Sequence, residues 1–282
     1  MRVKNEVGLS RIEKEGDGGA IASENIILSK APEEQDIRFP RASTLYDACM
    51  RMYVIGTKEM KSLKNWSSVK GRITFGIGNA IHYWVQNDPD LFGDKRRGWW
   101  KCLACGKVVG FGAPPTKKCR FCKAKKEAIQ YHEHYFKMNG PLFVTGHIDM
   151  FIKKEDALRI TEVKSIGGAA FEELVAPLVG HEYQLQTYMW AMSKQDRLPI
   201  DTDLGYVLYI SKRHAGKTFP VKMYPVERDP KTIHRIENKL QVYADGVASY
   251  PRKLPPPIRE CLGGKFSNYR AKSCPCLKEC TA

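Results

Sequence analysis

Residues 141–166 read PLFVTGHIDMFIKKEDALRITEVKSI, and this stretch decides the fold. It holds two strand-like runs, PLFVTGHIDMFIKK and LRITEVKSI, with Glu155 and Asp156 between them as a hairpin turn. Asp149 lies in the first run; Glu162 and Lys164 lie in the second. Period-two alternation puts Glu162 and Lys164 on one face of their strand, and a neighbouring strand can bring Asp149 beside them. Two carboxylates with an adjacent ammonium make a hard oxygen site for Mg²⁺ or Mn²⁺. Such an ion binds a phosphate oxygen and lowers the pKa of an attacking water. Lys164 can orient that water or stabilise developing negative charge. The bland alternative is a solvated strand face with a salt bridge, and a D…ExK triplet alone does not separate the two. The glycine of GHID and the small residues of KSIGG allow close backbone approach. His147, two before Asp149, shares its strand face and is a secondary candidate.

Working outward, a helix is expected to start near Ser43 as N-cap and run through LYDACMRMYVIG. A second helix is expected over residues 73–87, entered through Gly76, Gly78 and Asn79. On the other side of the hairpin, HEYQLQTYMWAMSK fits a helix whose apolar residues mix faces, so it is expected to be buried on more than one side. LGYVLYIS reads as a strand and residues 231–250 as an amphipathic helix. Residues 1–38 read as a flexible polar arm, 39–282 as the main domain, and 98–126 as a compact cysteine-bearing insert within it.

The 282 residues are 43% hydrophobic, enough for a sizeable core. Lys plus Arg number 46 against 31 Asp plus Glu, a net charge of +15. That surplus favours a polyanion, because neutralising each phosphate releases condensed counterions; the alternative is solubility alone. No apolar run is long enough for a membrane span. The opening MRVKNEVGLSRIEKEGDGG has no secretory apolar run, so an intracellular, cytoplasmic location is expected. In a reducing compartment the nine cysteines read as metal ligands rather than disulfides.

At this point the sequence resembles the RecB-like branch of the PD-(D/E)XK nucleases, in particular the iron–sulfur exonucleases of the CRISPR-adaptation and AddB type. GNAIHYWVQ resembles the helix with the family's histidine metal ligand, which makes His82 that ligand. GHIDMFI resembles the aspartate motif with Asp149, and ITEVKSI the ExK strand with Glu162 and Lys164. YQLQTYMWA resembles the QxxxY helix, whose Gln184 and Tyr188 would contact DNA and buttress the site. Taken singly, His82 reads more readily as a core or surface histidine than as a ligand, and Gln184 and Tyr188 read as an ordinary i,i+4 pair. The order of the four motifs is what carries the resemblance.

The cysteines fall into two groups. Cys102-x2-Cys105 and Cys119-x2-Cys122 form two CxxC knuckles, the pattern of a tetrahedral Zn²⁺ ribbon; a redox-active pair is the alternative. Lysines 101, 107, 117, 118, 123, 125 and 126, with Arg120, surround Trp99, Trp100, Phe111 and Phe121. These aromatics either stack on DNA bases or form the ribbon's own small core. The second group is Cys49, Cys261, Cys274, Cys276 and Cys280. STLYDACMRMY resembles the family's opening S-x-L…C-x-R-x-Y, which would make Cys49 the first ligand of a [4Fe–4S] cluster. Cys274 and Cys280 keep the family's C-x5-C half, Cys261 would be displaced upstream, and Cys276 is left over or substitutes for one of them. Four thiolates suit iron–sulfur and zinc alike.

The expected architecture is α/β: a central mixed sheet flanked by helices, a restriction-endonuclease-like core with an inserted zinc ribbon and a cysteine-rich C-terminal clasp. The resemblance implies Mg²⁺- or Mn²⁺-assisted hydrolysis of DNA as an exonuclease on single strands or ends, in repair, recombination, or phage or CRISPR DNA processing. The alternative is a non-catalytic nucleic-acid-binding protein with metal-stabilised modules. No GxxxxGK[ST] loop occurs, so a separate helicase or recombination partner would supply any motor.

Overall fold

The computed structural model describes residues 33–60, 62–65, 69–88, 90–195, 198–213, 220–261 and 274–281. The polar arm expected over residues 1–38 lies, as far as residue 32, outside the described residues; Pro32–Ala282 is one unit. In chain order the elements are β1 (Glu33–Asp36), α1 (Met50–Lys58), β2 (Ser62–Asn65), α2 (Val69–Asn87), β3 (Arg96–Cys102), β4 (Val108–Gly112), β5 (Ile129–His132), β6 (His134–Lys137), β7 (Thr145–Ile148), β8 (Met150–Lys154), β9 (Ala157–Ile166), α3 (Gly168–Glu172), α4 (Val179–Ser193), β10 (Ile200–Ser211), β11 (Val221–Glu227), α5 (Pro230–Ser249) and α6 (Leu277–Thr281).

The β8–β9 hairpin forms where the sequence puts it. Lys154 pairs with Ala157, and Glu155 takes the left-handed conformation (φ 57°) at the turn. The central sheet runs β11-β10-β9-β8-β3-β4, with β5 also on β3. β9 and β10 are parallel and the other pairs antiparallel, so the sheet is mixed. A parallel pair needs a crossover, and α3 and α4 supply it.

Alternate strand residues feed two cores. Phe151, Leu158, Ile160, Val207 and Tyr209 pack with α1, α4 and α5; Met150, Ile152, Val163, Leu208 and Ile210 pack with Val85 of α2 and Trp100 of β3. Glu162 and Lys164 continue the alternation of Leu158 and Ile160, so they belong to the α4 side. Every residue of α4 from Tyr183 to Met192 is buried, which explains why its apolar residues follow no single stripe. α5 starts on an N-cap: the Asp229 carboxylate accepts from the Lys231 and Thr232 amides, with Pro230 in the first turn.

Two expected boundaries move. Ser43 does not cap a helix; it sits exposed in a short 3₁₀ turn, Ala42–Thr44, and α1 begins at Met50 with Cys49 in the cap position. Burial of Ala42, Leu45 and Ala48 in the core overrides local helix propensity there. The second helix starts at Val69, before residue 73.

The cysteine insert is sewn into the sheet rather than hung from it. β3 pairs with β8 through Arg96↔Ile152 and Arg97↔Phe151, then continues into the first CxxC knuckle. Gly98 is required at this joint, since a Cβ there would lie 2.2 Å from the Tyr131 ring. Arg96 is 1% exposed, and its Nη1 donates to the carbonyls of Val85, Asp88 and Leu91 at 3.1, 2.7 and 3.3 Å. It thereby satisfies the Val85 carbonyl in the last turn of α2 and two carbonyls just beyond it, and ties the end of that helix to the ribbon strand. Arg96→Ala is expected to cost about 1–3 kcal/mol, chiefly by leaving the buried Val85 carbonyl without this donor. A melting temperature equal to wild type, with unchanged amide exchange over residues 85–91, would show that the clamp carries no load.

Candidate active site

The backbone changes sheets at Asp149. β7 pairs with β6 in a separate two-stranded ladder, whereas β8 pairs with β9 and β3 in the central sheet. Asp149 stands between the two strands, and its Oδ2 accepts from the Val163 amide at 2.7 Å. A side chain thus replaces the ladder bond that β7 cannot make to β9, and the same bond aims the carboxylate into the gap. Gly146 makes the gap possible, since a Cβ there would stand 2.6 Å from Phe136 and 3.0 Å from Tyr188.

Glu162 is 1% exposed and its Oε1 lies 2.5 Å from the Lys164 ammonium. Burial pushes the Glu162 carboxyl up to about 8, the negative charge of Asp149 pushes the same way, and Lys164 opposes without prevailing. Burial also disfavours the Lys164 ammonium, but the charges of Glu162 and Asp149 outweigh it and raise the group above its ordinary value. Lys164 donates to Gln184 Oε1 at 2.9 Å, and Gln184 Nε2 donates to the Tyr188 hydroxyl at 2.6 Å. Burial holds the Tyr188 phenol well above its usual range, so it stays protonated. The i,i+4 pair on α4 therefore forms a brace for the lysine.

α2 delivers His82, whose Nδ1 lies 3.6 Å from Asp149 Oδ1. Burial lowers its pKa, but the hydrogen bond and charge of Asp149 outweigh that and raise it overall. One turn on, Gln86 donates to the Asp149 carbonyl at 3.0 Å and to Glu133 Oε1 at 3.1 Å. Gly78, earlier on α2, lets the helix pass close to Ser165, whose Oγ would lie 3.2 Å from a Cβ. Asp149, Glu162, Lys164, His82, Gln184 and Tyr188 line one cavity of about 480 Å³, joined by His147, Phe39, Arg41, Ser43 and Tyr135. Sequence reasoning missed Gln86 and Glu133. Gln86 was findable, being i+4 from His82 on the same helix face.

Glu162 Oε2 is buried and has no hydrogen-bond partner among the described residues. A carboxylate oxygen in that state, beside a second carboxylate and an imidazole, fits a hard divalent cation. Cys102 Sγ lies 3.7 Å from Cys122 Sγ and Cys105 Sγ 3.9 Å from Cys119 Sγ, all four within 4.8 Å of one another. Ligand bonds of about 2.3 Å in a tetrahedron put sulfurs roughly 3.8 Å apart, so this set fits one ion. Trp100 and Tyr131 form the ribbon's small core, while Phe121 is exposed between Lys107 and Arg120.

Cys49, Cys261, Cys274 and Cys280 lie near enough for their charges to act on one another, but no three of their sulfurs stand within 4.8 Å of one another. Burial raises the Cys261 thiol, and the charges of Cys49, Cys280 and Cys274 add to it. Arg51 ties the region shut by donating to the Cys280 carbonyl at 2.8 Å. Cys276 is turned into the core, its Sγ donating to the Met52 carbonyl at 3.7 Å. No cysteine forms a disulfide among the described residues, and no helix there is long and apolar enough to cross a membrane.

A ligating carboxylate must be deprotonated. With Glu162 raised to about 8, a cation binding at pH 7 displaces a proton from it. The apparent Mn²⁺ affinity should therefore fall as pH drops below 8, by up to about tenfold per unit for one proton. Titration calorimetry in buffers of different ionisation heat measures the proton released. Affinity flat from pH 6 to 8 would remove Glu162 from the ligand set.

No curated protein matches the sequence. The solved structure described as "Crystal structure of SSO0001" is similar at a TM-score of 0.37 and 14% identity, covering 82% of this chain and 84% of that one. A family description, the PD-(D/E)XK nuclease superfamily, matches residues 94–281, well over half of the 282 and including Asp149, Glu162, Lys164, Gln184 and Tyr188. With its mixed sheet and its paired carboxylates beside a braced lysine, this chain belongs to the PD-(D/E)XK nuclease superfamily.

Proposed function

We propose that the chain is a deoxyribonuclease that hydrolyses phosphodiester bonds exonucleolytically at single-stranded DNA or DNA ends. Asp149, Glu162 and His82 hold Mg²⁺ or Mn²⁺. The observation that carries this is Glu162 Oε2, a buried carboxylate oxygen without a hydrogen-bond partner among the described residues, in the cavity that Asp149 and His82 also line. The ion supplies charge neutralisation at the phosphate and acidifies a water.

The chain's own groups do the rest. Lys164, held between Glu162 and Gln184, places a fixed ammonium where negative charge develops. Tyr188 fixes the Gln184 amide, so the lysine keeps one position instead of searching several. At the same cavity, Arg41 offers a guanidinium to phosphate, and Phe39 and Tyr135 offer ring faces to unpaired bases. The +15 net charge supports a polyanionic substrate. The ribbon cysteines bind Zn²⁺. Cys49, Cys261, Cys274 and Cys280 bind a [4Fe–4S] cluster that staples the start of α1 to the C-terminal segment and does no chemistry. Any duplex unwinding falls to a separate helicase or recombination partner, in DNA repair, recombination, or phage or CRISPR DNA processing.

Glu162→Gln is expected to lower Mn²⁺-dependent cleavage of single-stranded DNA at least a thousandfold, while DNA binding by anisotropy stays within about twofold, since no positive charge is removed. Lys164→Ala should lose turnover with Mn²⁺ still bound. Cleavage by either variant at the wild-type rate ends the assignment.

Metal analysis tests the two cysteine groups. Anaerobically purified protein should carry one zinc and a cluster's iron. Cys49→Ala should lose the iron and its brown absorbance, melt lower and keep the zinc. Iron-free wild-type protein, or a full cluster in Cys49→Ala, overturns the clasp.

A further inference from the structure

Glu133 takes no part in the chemistry above, yet the chain treats it as it treats Asp149. β5 ends at His132 and β6 begins at His134, so Glu133 also stands where a strand leaves one sheet for another. β6 and β7 pair with His134 opposite Ile148. One further step of that register sets Glu133 opposite Asp149. Two strands therefore break at the same level, each with a carboxylate at the break.

The side chains converge accordingly. One ligand atom each from His82, Glu133 and Asp149 lie within 4.8 Å of one another. Oxygen and nitrogen ligands at about 2.0–2.2 Å from one ion stand roughly 3 Å apart when adjacent and roughly 4.4 Å when opposite, so side-chain movements on the order of 1 Å would close the three on one ion. Gln86 holds Glu133 through Oε1 and Asp149 through its carbonyl, the way partners behind a metal site fix its ligands. An independent observation points to an ion beside Asp149: Glu162 Oε2, buried and without a partner among the described residues, belongs to the cavity that Asp149 and His82 also line.

We propose that Glu133 is a further ligand of the divalent cation, acting with His82 and Asp149 from the strand break between β5 and β6. This rests on the metal-dependent reading of the same site, and the test separates the two. The probe is Mn²⁺, titrated into the full-length protein by electron paramagnetic resonance with the cysteine sites as purified. Glu133→Gln keeps an acceptor for Gln86 and removes the charge. Its Mn²⁺ affinity is expected to fall 10- to 100-fold, and the rise in melting temperature that Mn²⁺ gives the wild type should shrink, with the melt in chelator unchanged. Glu162→Gln is measured beside it.

If Glu133→Gln binds Mn²⁺ like wild type while Glu162→Gln is weakened, Glu133 only anchors Gln86; the proposal is overturned and the nuclease assignment stands. Unchanged affinity in both variants overturns the cation reading and this proposal together. Should Glu133→Gln fail to fold, Glu133→Asp carries the test. It keeps the charge and withdraws the carboxylate by one methylene, so weakened affinity supports the proposal and wild-type affinity overturns it.

Discussion

The Asp149 side chain bonded to the Val163 amide is the contact on which the rest of the site depends. Where β7 parts from the central sheet, Val163 would lose a ladder partner, and a buried amide without one costs about 1–3 kcal/mol. The 2.7 Å bond from Val163 to Asp149 Oδ2 removes that cost and fixes the carboxylate in the same act. Oδ1 then faces His82 at 3.6 Å. Glu162, one residue before Val163, is brought beside it from the opposite strand. The gap between sheets, the orientation of Asp149 and the cavity are therefore one feature with one cause.

A gap in a sheet weakens it unless its walls are held from outside. α2 forms one wall, fixed at its end by Arg96 and behind His82 by Gln86. The cysteine ribbon grows directly from the strand that carries Arg96, so its knuckles and the histidine helix share a foundation. α4 forms the other wall. At the far side, Arg51 joins α1 to the C-terminal segment, and Gly246 lets α5 approach Val54 and Pro255, where a Cβ would lie within 2.9 Å of both. Elements far apart in sequence close the domain around the elements that line the cavity.

Much of this was legible in the sequence because it depends on period and spacing. Two-residue alternation predicts that Glu162 and Lys164 share a face, four-residue spacing aligns Gln184 with Tyr188, and CxxC spacing groups the ribbon cysteines. The burial of HEYQLQTYMWAMSK on more than one side follows from the apolar content of that run, and it is complete from Tyr183 to Met192. What was not legible depends on where strands stop pairing. Asp149 and Glu133 interrupt otherwise regular runs, and nothing in YHEHYF marks Glu133 as anything but an outward polar residue. Ser43 failed as a cap for a similar reason: Leu45 and Ala48 find their place in a core that sequence neighbours do not reveal. Arg96 reads as a surface cation until the end of α2 arrives over it.

The polar atoms inside the core give the last step. α4 buries three polar side chains, and each is satisfied. Gln184 meets Lys164 and Tyr188, Gln186 bonds the Glu227 carbonyl and the Asp229 amide, and the Thr187 hydroxyl bonds the Tyr183 carbonyl. A helix this deeply buried tolerates polar groups only on those terms. Among the described residues the Thr161 hydroxyl and Arg96 Nε have no hydrogen-bond partner, but the first is neutral and the second shares its charge with Nη1, which is bonded. Glu162 Oε2 differs in kind. It belongs to a carboxylate whose charge can neither reach water nor be matched by Lys164 alone, and burial accordingly drives the group toward its neutral form. A second positive charge beside Asp149 would work against that shift, as the Lys164 ammonium already does.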